Sequence, residues 1–243
     1  MANALVIIPT YNEVENIERI TRNVFSLQRN FHILVVDDNS PDGTAALVET
    51  VQEDFEGKLF LLRRQQKEGL GTAYISGFKW ALDRDYDYIF EMDADFSHNP
   101  NDLIRLYNAS AKGTADVVIG SRYATGVNVV NWPMSRVLLS WLASKYVRFI
   151  TGMDIHDTTA GFICYRRTVL EKINLDKIKF VGYAFQIEMK FKAHLLNFNI
   201  EEVPVIFTDR TKGISKMSKG IISEAIFGVL TMKIKSLFNL YEI

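Results

Sequence analysis

Glu91-Met92-Asp93-Ala94-Asp95 ends an apolar run over residues 86–92, and this run predicts a buried strand bounded by charged residues. Alternate side chains of a strand point to the same face, so the carboxylates of Asp93 and Asp95 should point the same way. Two neighbouring anions repel each other, and a divalent cation that prefers oxygen ligands, Mg²⁺ or Mn²⁺, relieves that repulsion. The alternative is a solvated turn in which one aspartate caps the next helix, and D-x-D alone does not decide between the two.

Strands and helices alternate along the rest of the chain. Short apolar runs predict further strands at 4–8 (stopped by Pro9), 32–36, 59–62 and 116–119. Helical patterns separate these runs, and Asn12 with Glu15 matches a capping box at the start of the first helix. Strict alternation of apolar strands with helices predicts an α/β fold with a doubly wound, parallel sheet.

Polar clusters follow three of the predicted strands. They are Pro9 to Glu13 after the first strand, Asp37-Asp38 after the second, and Asp93-x-Asp95 after the fourth. In such sheets, ligands bind at the carboxyl ends of the strands, so the three clusters should converge on one edge. A nucleotide fits that edge, with Tyr11 stacking on the base and Asp38 accepting hydrogen bonds from the base or ribose. Taken singly, Tyr11 is more often a packing tyrosine and Asp37-Asp38 more often a turn that leads into a helix, and it is their shared position that favours the functional interpretation.

Composition limits the function classes. The chain has 243 residues, of which 28 are Lys or Arg and 29 are Asp or Glu, and the net charge of −1 provides no general field for nucleic acid. A single cysteine, Cys164, excludes an internal disulfide and a cysteine-rich metal site and fits a reducing compartment. The first residues lack a basic and apolar leader, and no apolar window is long enough for a membrane span, so we expect a cytosolic protein.

Several spaced motifs together resemble family 2 glycosyltransferases with the GT-A fold, and among them dolichyl- or polyprenyl-phosphate mannose synthases. The resemblance runs from Leu5 to about Ser218. The motifs that carry it are Ile8-Pro9-Thr10-Tyr11-Asn12-Glu13, Val35-Val36-Asp37-Asp38-Asn39-Ser40-Pro41-Asp42-Gly43-Thr44, Gly69-Leu70-Gly71-Thr72-Ala73-Tyr74, Met92-Asp93-Ala94-Asp95, Gly120-Ser121-Arg122-Tyr123, Asp157-Thr158-Thr159-Ala160-Gly161-Phe162, Tyr183-Ala184-Phe185-Gln186-Ile187-Glu188-Met189, and Phe207-Thr208-Asp209-Arg210 with Gly213-Ile214-Ser215-Lys216-Met217.

The resemblance implies a Rossmann-like, mostly parallel sheet flanked by helices, and a role for each matching residue. The guanosine of GDP-mannose would be held by Pro9, Tyr11, Glu13, Val36 and Asp38. The diphosphate would be held by Asp93, Ala94 and Asp95, with Asp95 the main ligand of Mg²⁺ or Mn²⁺ and Asp93 the second. Family members often carry Gln two positions after the second aspartate, where this chain has Ser97.

The resemblance also implies transfer of mannose from GDP-mannose to a polyprenyl or dolichyl phosphate. Arg122 would contact the acceptor phosphate or the sugar, and Arg210 and Lys216 would close over the phosphates, because arginine binds phosphate oxygens two at a time. Surface ion pairs or a solvated basic loop are the alternatives for these three. An acceptor phosphate is already an anion, so no strong base is required and we expect direct displacement with inversion. Glu188 is the one later carboxylate that could serve as a base, and orienting the arginines is its other interpretation.

Two segments suggest contact with a membrane. The first is a C-terminal amphipathic helix over residues 217–243, which follows a catalytic domain over residues 1–216 and equally suits a helix that covers the core. The second is the stretch from Trp132 to Ile150, expected as a helix near the acceptor opening. The expected partners are therefore the cytoplasmic surface of a membrane and a membrane-anchoring protein.

Two other functions remain open from the sequence. One is a family 2 transferase that moves another sugar, such as glucose from UDP-glucose, to lipid phosphate or to a glycan. The absence of Q-x-x-R-W argues against a processive polysaccharide synthase. The other is a nucleotide-binding or nucleotidyltransferase module, since fold does not fix function. The segment Pro9 to Glu13 lacks the basic, glycine-rich loop expected of that module.

Overall fold

The computed structural model describes residues 3–182, 184–209, 219–238 and 240–242. Its strands are β1 (Ala4–Thr10), β2 (Phe31–Asp37), β3 (Leu59–Arg63), β4 (Tyr88–Glu91), β5 (Val117–Ser121), β6 (Val129–Val130), β7 (Ile163–Arg166), β8 (Ile200–Pro204) and β9 (Phe207–Thr208). Its helices are α1 (Ile17–Phe25), α2 (Thr44–Gln52), α3 (Leu70–Leu82), α4 (Asp102–Ala111), α5 (Met134–Thr151), α6 (Arg167–Lys172), α7 (Ala184–Leu195) and α8 (Lys219–Leu237). Short 3-10 turns lie at Glu53–Phe55 and Leu175–Lys177.

Seven strands form a central sheet in the order β3-β2-β1-β4-β7-β5-β8. All neighbouring pairs run parallel except those that involve β7, which is antiparallel to both β4 and β5. The predicted α/β fold with a mostly parallel sheet is therefore confirmed. Strand β1 lies between β2 and β4, so the carboxyl ends of these three strands share one edge. Strands β6 and β9 pair separately, in parallel.

The apolar core lies on both faces of the sheet, which explains why the central strands are apolar throughout. Leu5 and Ile7 belong to the cluster that contains residues of α3, α7 and α8. Val6 and Ile8 belong to the cluster that contains residues of α1, α2 and α4. This alternation follows the two-residue period of a strand.

Most predicted elements are present with shifted ends. Strand β1 continues through Pro9 to Thr10 because its parallel register with β2 continues, pairing Pro9 with Val36. Strand β4 is shorter than the apolar run over residues 86–92, since only Tyr88–Glu91 pairs with its neighbours. The antiparallel β7 was not predicted from the sequence.

The predicted capping box at Asn12 and Glu15 is wrong. Helix α1 begins at Ile17, and Asn16 before it makes no capping hydrogen bond from its side chain. Asn12 instead has a φ of 60°, in the left-handed region. Its N–H donates to Ser40 Oγ at 3.0 Å, so this turn is joined to the loop after β2.

Helices α5 and α8 pack against each other on one side of the molecule. The hydroxyl of Tyr146 in α5 donates to the carbonyl oxygen of Ile226 in α8 at 2.9 Å. Val229 and Met232 of α8 are buried in the core, so this helix covers the sheet domain as well as presenting exposed apolar side chains. Within the described ranges, no helix combines the length and apolarity needed to cross a bilayer.

Candidate active site

The loops after β1 and β2 are joined by hydrogen bonds at the carboxyl edge of the sheet. Thr10 Oγ1 donates to Asp37 Oδ1 at 2.9 Å, and the N–H of Asp38 donates to the carbonyl oxygen of Thr10 at 3.0 Å. Both the N–H and the hydroxyl of Ser40 donate to the Asp37 carboxylate. Asp37 therefore holds the two loops together, which leaves Asp38 as the aspartate able to serve a ligand.

Asp38 and Tyr11, two of the five residues predicted to bind the nucleoside, each lie beside a cationic side chain. Asp38 is buried, and its Oδ1 accepts a hydrogen bond from Arg64 Nη1 at 2.9 Å. Burial raises the pKa of Asp38, and the charge of Arg64 opposes that rise. Lys67 Nζ lies 4.2 Å from the ring centre of Tyr11. The sequence did not single out Arg64 or Lys67, although the segment between β3 and α3 is rich in charge.

The other predicted nucleoside residues differ in how exposed they are. Pro9 and Glu13 are half-buried at the same edge as Tyr11. The Glu13 carboxylate accepts a hydrogen bond from Asn16 Nδ2 at 3.0 Å. Val36 is fully buried within β2, where its side chain belongs to the core. Because its side chain presents no surface to a ligand, Val36 contributes to this edge of the sheet only by packing in the core.

Asp93 and Asp95 follow β4 and line a cavity of about 460 Å³. Ala94 between them is buried, as the alternation of a strand end requires. Asp95 Oδ1 accepts the N–H of Ser97 at 3.0 Å, and Phe96 has a φ of 60°. This tight turn brings the two carboxylates to the same cavity, as the sequence predicted.

Ser97 and His98 continue this wall of the cavity. The Ser97 hydroxyl is buried and has no hydrogen-bond partner among the described residues. The His98 ring stacks on Phe162 with 4.8 Å between ring centres, and its Nδ1 faces the N–H of Asp93 at 3.4 Å. Burial lowers the pKa of His98 to about 4, against the opposing charge of Asp95. His98 is therefore a neutral imidazole near neutral pH, and sequence reasoning missed it.

The residues present fit a hard divalent cation. Asp93 and Asp95 supply carboxylate oxygens, and the unpartnered hydroxyl of Ser97 lies in the same cavity wall. Across the described ranges, no group of three His, Cys, Asp or Glu side chains is arranged to hold a metal. A cation here would therefore complete its coordination with oxygens of a substrate or of water.

Arg122 lies on another wall of the same cavity, after β5. Its guanidinium is held by the Asp157 carboxylate, and Nη2 also donates to Thr159 Oγ1 at 2.8 Å. Aromatic rings surround it, with Cζ 5.4 Å from the ring centre of Trp132 and 5.6 Å from that of Phe207. The ion-pair interpretation of Arg122 is correct in part, because the pair is buried and still borders the cavity.

Arg136 is a second arginine of the cavity that the sequence did not identify as functional. It lies on the first turns of α5, stacks over Trp132 at 4.0 Å and pairs with Asp209 at 2.9 Å. The stretch from Trp132 to Ile150 was predicted to be a helix near the acceptor opening; the helix is present as α5, and Arg136 on it lines the cavity. Its distance from every motif in sequence explains why no local pattern identified it.

The far end of the cavity is apolar. It is formed between α5 and α8 by Leu139, Leu142, Ala143, Tyr146, Val147 and Ile226. The same cavity is therefore lined by carboxylates, arginines and an apolar cleft.

Glu188 does not have either of the roles considered for it. It is fully buried in α7, where its Oε2 accepts the N–H groups of Lys179 and Phe180 at 2.8 and 3.0 Å. Its Oε1 accepts the hydroxyl of Tyr241 at 3.1 Å. Glu188 does not line the cavity, and the hydrogen bonds of the Arg122 guanidinium go to Asp157 and Thr159. Glu188 fixes a loop and the C-terminal segment instead.

Several residues named from the sequence lie outside the described residues. They include Arg210 and Lys216, expected to close over the phosphates, and Tyr183 and Gly213 to Ser218 of the later motifs. Asp209 directly before them lines the cavity.

Comparison with known proteins gives a family and two similar relatives. The model of Glycosyl transferase family 2 matches residues 5–174. Polyprenol monophosphomannose synthase of Mycolicibacterium smegmatis is 49% identical over 225 residues, which cover 93% of this chain and 84% of the relative. Undecaprenyl-phosphate mannosyltransferase of Micrococcus luteus is 46% identical over 225 residues, which cover 93% of this chain and 91% of the relative.

Solved structures share the fold at low sequence identity. Glucosyl-3-phosphoglycerate synthase from Mycobacterium tuberculosis, in complex with Mn²⁺, UDP and glucosyl-3-phosphoglycerate, superposes with a TM-score of 0.66 at 16% identity, over 97% of this chain and 79% of that one. A mannosyltransferase from Pyrobaculum calidifontis, in complex with GDP-Man and Mn²⁺, gives a TM-score of 0.59 at 18% identity, over 98% of this chain and 64% of that one. These likenesses confirm the expected GT-A type of fold.

Proposed function

The chain belongs to glycosyl transferase family 2, and on that premise we propose that it transfers mannose from GDP-mannose to the phosphate of a polyprenyl lipid such as dolichyl phosphate. This is the reaction of a dolichyl-phosphate β-D-mannosyltransferase. The observation that carries the proposal is the single cavity that is lined by Asp93 and Asp95, by the arginines 122 and 136, and by an apolar cleft. The names of both relatives, which are about half identical to this chain, support the same reaction.

The edge of the sheet supplies the donor site in this proposal. Tyr11 and Asp38 receive the guanosine, with Pro9 and Glu13 beside them, and Asp93 and Asp95 receive the diphosphate. Strands β2, β1 and β4 are neighbours, so the two groups of residues are in line along one edge. Mg²⁺ or Mn²⁺ held by Asp93 and Asp95 would neutralise the diphosphate and the departing GDP. The presence of Mn²⁺ with nucleotide sugar in a structural neighbour supports that choice.

Arg122 and Arg136 receive the acceptor phosphate. Each guanidinium is oriented by a carboxylate, Asp157 or Asp209, and a guanidinium binds phosphate oxygens two at a time. A phosphate oxygen forms the new bond to the anomeric carbon of mannose while the bond from that carbon to GDP breaks. The phosphate is already an anion, so no protein base is required. The position of Glu188 outside the cavity agrees with this, and direct displacement inverts the sugar carbon.

The apolar end of the cavity receives the start of the lipid chain. The same two helices, α5 and α8, also expose large apolar side chains, namely Met134, Leu138, Leu142, Phe149, Phe227, Ile234 and Leu237. Exposed apolar residues on two adjacent helices suit the interface of a bilayer better than water. We therefore place this face on the cytoplasmic surface of a membrane, with a membrane-anchoring protein as a further partner.

The division into a catalytic domain over residues 1–216 and a C-terminal amphipathic helix over residues 217–243 is part of the proposal. In this arrangement, α8 packs on the catalytic domain and also presents an exposed apolar surface. Ile226 lines the cavity, Val229 and Met232 fill the core, and Phe227 stays exposed.

The deciding experiment compares donors and acceptors. Purified protein is incubated with labelled GDP-mannose or UDP-glucose, a polyprenyl phosphate or the free polyprenol, and Mg²⁺ or Mn²⁺, and the lipid is extracted and counted. Labelled lipid should form only from GDP-mannose with the phosphorylated acceptor. Transfer from UDP-glucose but not GDP-mannose would contradict the donor, and transfer to the free polyprenol would contradict the mechanism without a base.

A variant of Asp95 tests the site itself. Asp95→Ala should abolish transfer and leave the unfolding temperature close to that of the wild type. Asp176→Ala is the matched control, because Asp176 is an exposed aspartate paired on the surface with Lys79. Full activity in Asp95→Ala would contradict the assigned role of this carboxylate.

A further inference from the structure

Helix α7 buries a lysine, Lys190, whose side chain is 0% exposed. Its ammonium donates to three carbonyl oxygens, those of Ala160 at 2.6 Å, Thr158 at 3.1 Å and Gln186 at 3.3 Å. A buried charge is unfavourable unless several hydrogen bonds and opposite charges compensate it. Two of these contacts, to Thr158 and Ala160, connect α7 to the segment 157–161, which precedes β7, and the third stays within α7.

The segment held by Lys190 is part of the acceptor side of the cavity. Asp157 and Thr159, which alternate with the two bonded carbonyls along the chain, both bind the guanidinium of Arg122. Thr159, Ala160 and Gly161 line the cavity directly. The ammonium of Lys190 therefore holds the backbone of the segment that carries Asp157 and Thr159, the partners of Arg122.

Helix α7 also contacts the strand that leads to the aspartates. Gln186, one turn before Lys190, donates from Nε2 to Glu91 Oε2 at 2.5 Å, and Glu91 is the last residue of β4. Gln186 itself lines the cavity. One turn of α7 thus joins the wall with Asp93 to the wall with Arg122.

The charges around Lys190 favour its protonated form near neutral pH. Burial lowers the pKa of Lys190 to about 8, and the negative charges of Glu91 and Asp157 oppose that decrease. The protonated amine has three hydrogens, which matches the three carbonyl oxygens it faces.

We propose that Lys190 is a positioning residue of the transfer reaction, which holds the segment 157–161 so that Asp157 and Thr159 present Arg122 to the acceptor phosphate. The proposal rests on the proposed function, because the acceptor phosphate belongs to it. Lys190 does not touch either substrate. Its removal therefore affects the acceptor through Arg122 and leaves the donor edge, formed by β1 and β2, unchanged.

A matched control separates positioning from simple loss of stability. Lys192 lies two residues further along the same helix, about half a turn away and so on the opposite side, is also buried, and donates to the carbonyl oxygen of Glu242 in the C-terminal segment. Lys192→Met removes a buried lysine of α7 that faces away from the cavity. Lys190→Met removes the three contacts, and Lys190→Arg keeps a charged donor in their place.

Steady-state kinetics with GDP-mannose and a short-chain polyprenyl phosphate provide the first measurement. Lys190→Met should raise KM for the polyprenyl phosphate by about tenfold or more. KM for GDP-mannose should stay within about twofold of the wild type. Lys190→Arg should recover part of the acceptor KM, and Lys192→Met should keep the wild-type ratio of the two constants. Equal losses for both substrates, or the same losses in Lys192→Met, would overturn the proposal.

Amide hydrogen exchange of the ligand-free protein provides the second measurement. Residues 157–162 should exchange faster in Lys190→Met than in the wild type, while residues 31–37 of β2 keep their protection. Unchanged exchange over residues 157–162 would overturn the proposal whatever the kinetics show. If the methionine variant does not fold, Lys190→Gln, which keeps an N–H donor, is judged by the same two measurements. A wild-type protein that transfers no mannose would refute the proposed function, and the exchange data would still decide whether Lys190 holds this segment.

Discussion

The guanidinium of Arg122 and the carboxylate of Asp157 form a two-point ion pair, with Nε 2.7 Å from Oδ2 and Nη2 2.6 Å from Oδ1. The backbone N–H of Arg122 donates to the same carboxylate at 2.9 Å. Asp157 is fully buried, and burial alone would raise its pKa, but the charge and hydrogen bonds of Arg122 lower that pKa below its usual value. The pair therefore holds a cation at the cavity wall in one orientation.

Replacing Asp157 by Asn should weaken both folding and acceptor binding. The change leaves the charge of Arg122 buried without its partner, which destabilises proteins by about 3 kcal/mol or more. Urea unfolding measures the free energy, and kinetics should show a raised KM for polyprenyl phosphate. Asp154→Asn is the control, because Asp154 is an exposed aspartate paired with Arg148, and such pairs contribute about 1 kcal/mol or less. An Asp157→Asn variant as stable as the wild type would contradict the importance of the pair.

The carboxylate edge of the sheet, which we propose binds the donor, could be located from the sequence because each part is local. Asp93 and Asp95 follow an apolar strand, and Asp38 follows another, so strand periodicity and parallel topology suffice to bring them to one edge. The pair of Arg122 and Asp157, on the side proposed for the acceptor, could not be predicted in this way. Asp157 meets Arg122 across 35 positions of sequence, just before a strand that inserts antiparallel between β4 and β5.

Glu188 is a residue whose local sequence suggested a function that its contacts in the structure do not support. Its motif suggested chemistry, but its side chain bonds the N–H groups of Lys179 and Phe180 and the hydroxyl of Tyr241. Those partners come from a loop and from the end of the chain, and no pattern within α7 indicates them. Asn12 is a similar case, because its turn is set by Ser40 in the next loop and not by the helix that follows.

Membrane binding should depend on the exposed apolar side chains of α5 and α8. Phe149 and Phe227 are 87% and 69% exposed. Changing both to Asp adds charge to the apolar face, and we expect at least a tenfold loss of binding to vesicles of phosphatidylethanolamine and phosphatidylglycerol, since burying each apolar ring contributes about 1.5 kcal/mol or more. Vesicle co-sedimentation measures the loss. Val127→Asp, at a residue 54% exposed outside both helices, should bind like the wild type. Equal binding by the double variant would contradict the assigned face.

A methyl group at Gly228 should disturb the packing of α8. A Cβ added there would lie 2.5 Å from Cζ and 2.6 Å from Cε1 of Phe180. Gly→Ala normally stabilises a helix by up to about 1 kcal/mol, so a loss of about 1–3 kcal/mol in Gly228→Ala would report the clash. Thermal unfolding measures this loss. Thr231→Ala, at an exposed position of the same helix, should be neutral or slightly stabilising. A stabilised Gly228→Ala variant would show that α8 does not pack on Phe180.

The buried Lys190 should make the free energy of unfolding increase with pH in the alkaline range. The pKa of Lys190 is lowered from 10.5 to about 8 in the folded protein, so the unfolded chain binds the proton more tightly and stability rises with pH in between. Arg122, Asp157, Glu202 and Glu91 face Lys190, and burial raises the pKa of Glu91 to about 8, so most of the Glu91 carboxyl is ionised at both pH values compared here. From about pH 8.5 to about pH 10, the stability of the wild type relative to Lys190→Met should increase by on the order of 1 kcal/mol. Urea unfolding at both pH values measures the difference, and a constant difference would contradict the lowered pKa.

Arg64 should control nucleotide binding through Asp38. The two side chains are only 9% and 7% exposed, and Arg64 also donates from Nη2 to Glu68 and to Thr72 at the start of α3. Burial already raises the pKa of Asp38, and Arg64 opposes that rise, so Arg64→Met should raise the pKa further. A protonated Asp38 accepts hydrogen bonds from guanosine poorly, and affinity for GDP should fall by about tenfold or more.

Isothermal titration calorimetry with GDP at two pH values checks this expectation. The loss of affinity in Arg64→Met should be larger at acidic pH, where the carboxyl of Asp38 gains its proton, and should diminish as pH rises. Arg63→Met is the matched control, because the neighbouring Arg63 is 53% exposed and pairs with Glu49 on the surface. It should bind GDP like the wild type. A deficit in Arg64→Met that does not change with pH would assign the effect to the contacts with Glu68 and Thr72, and an unchanged affinity would remove Asp38 from the nucleotide site.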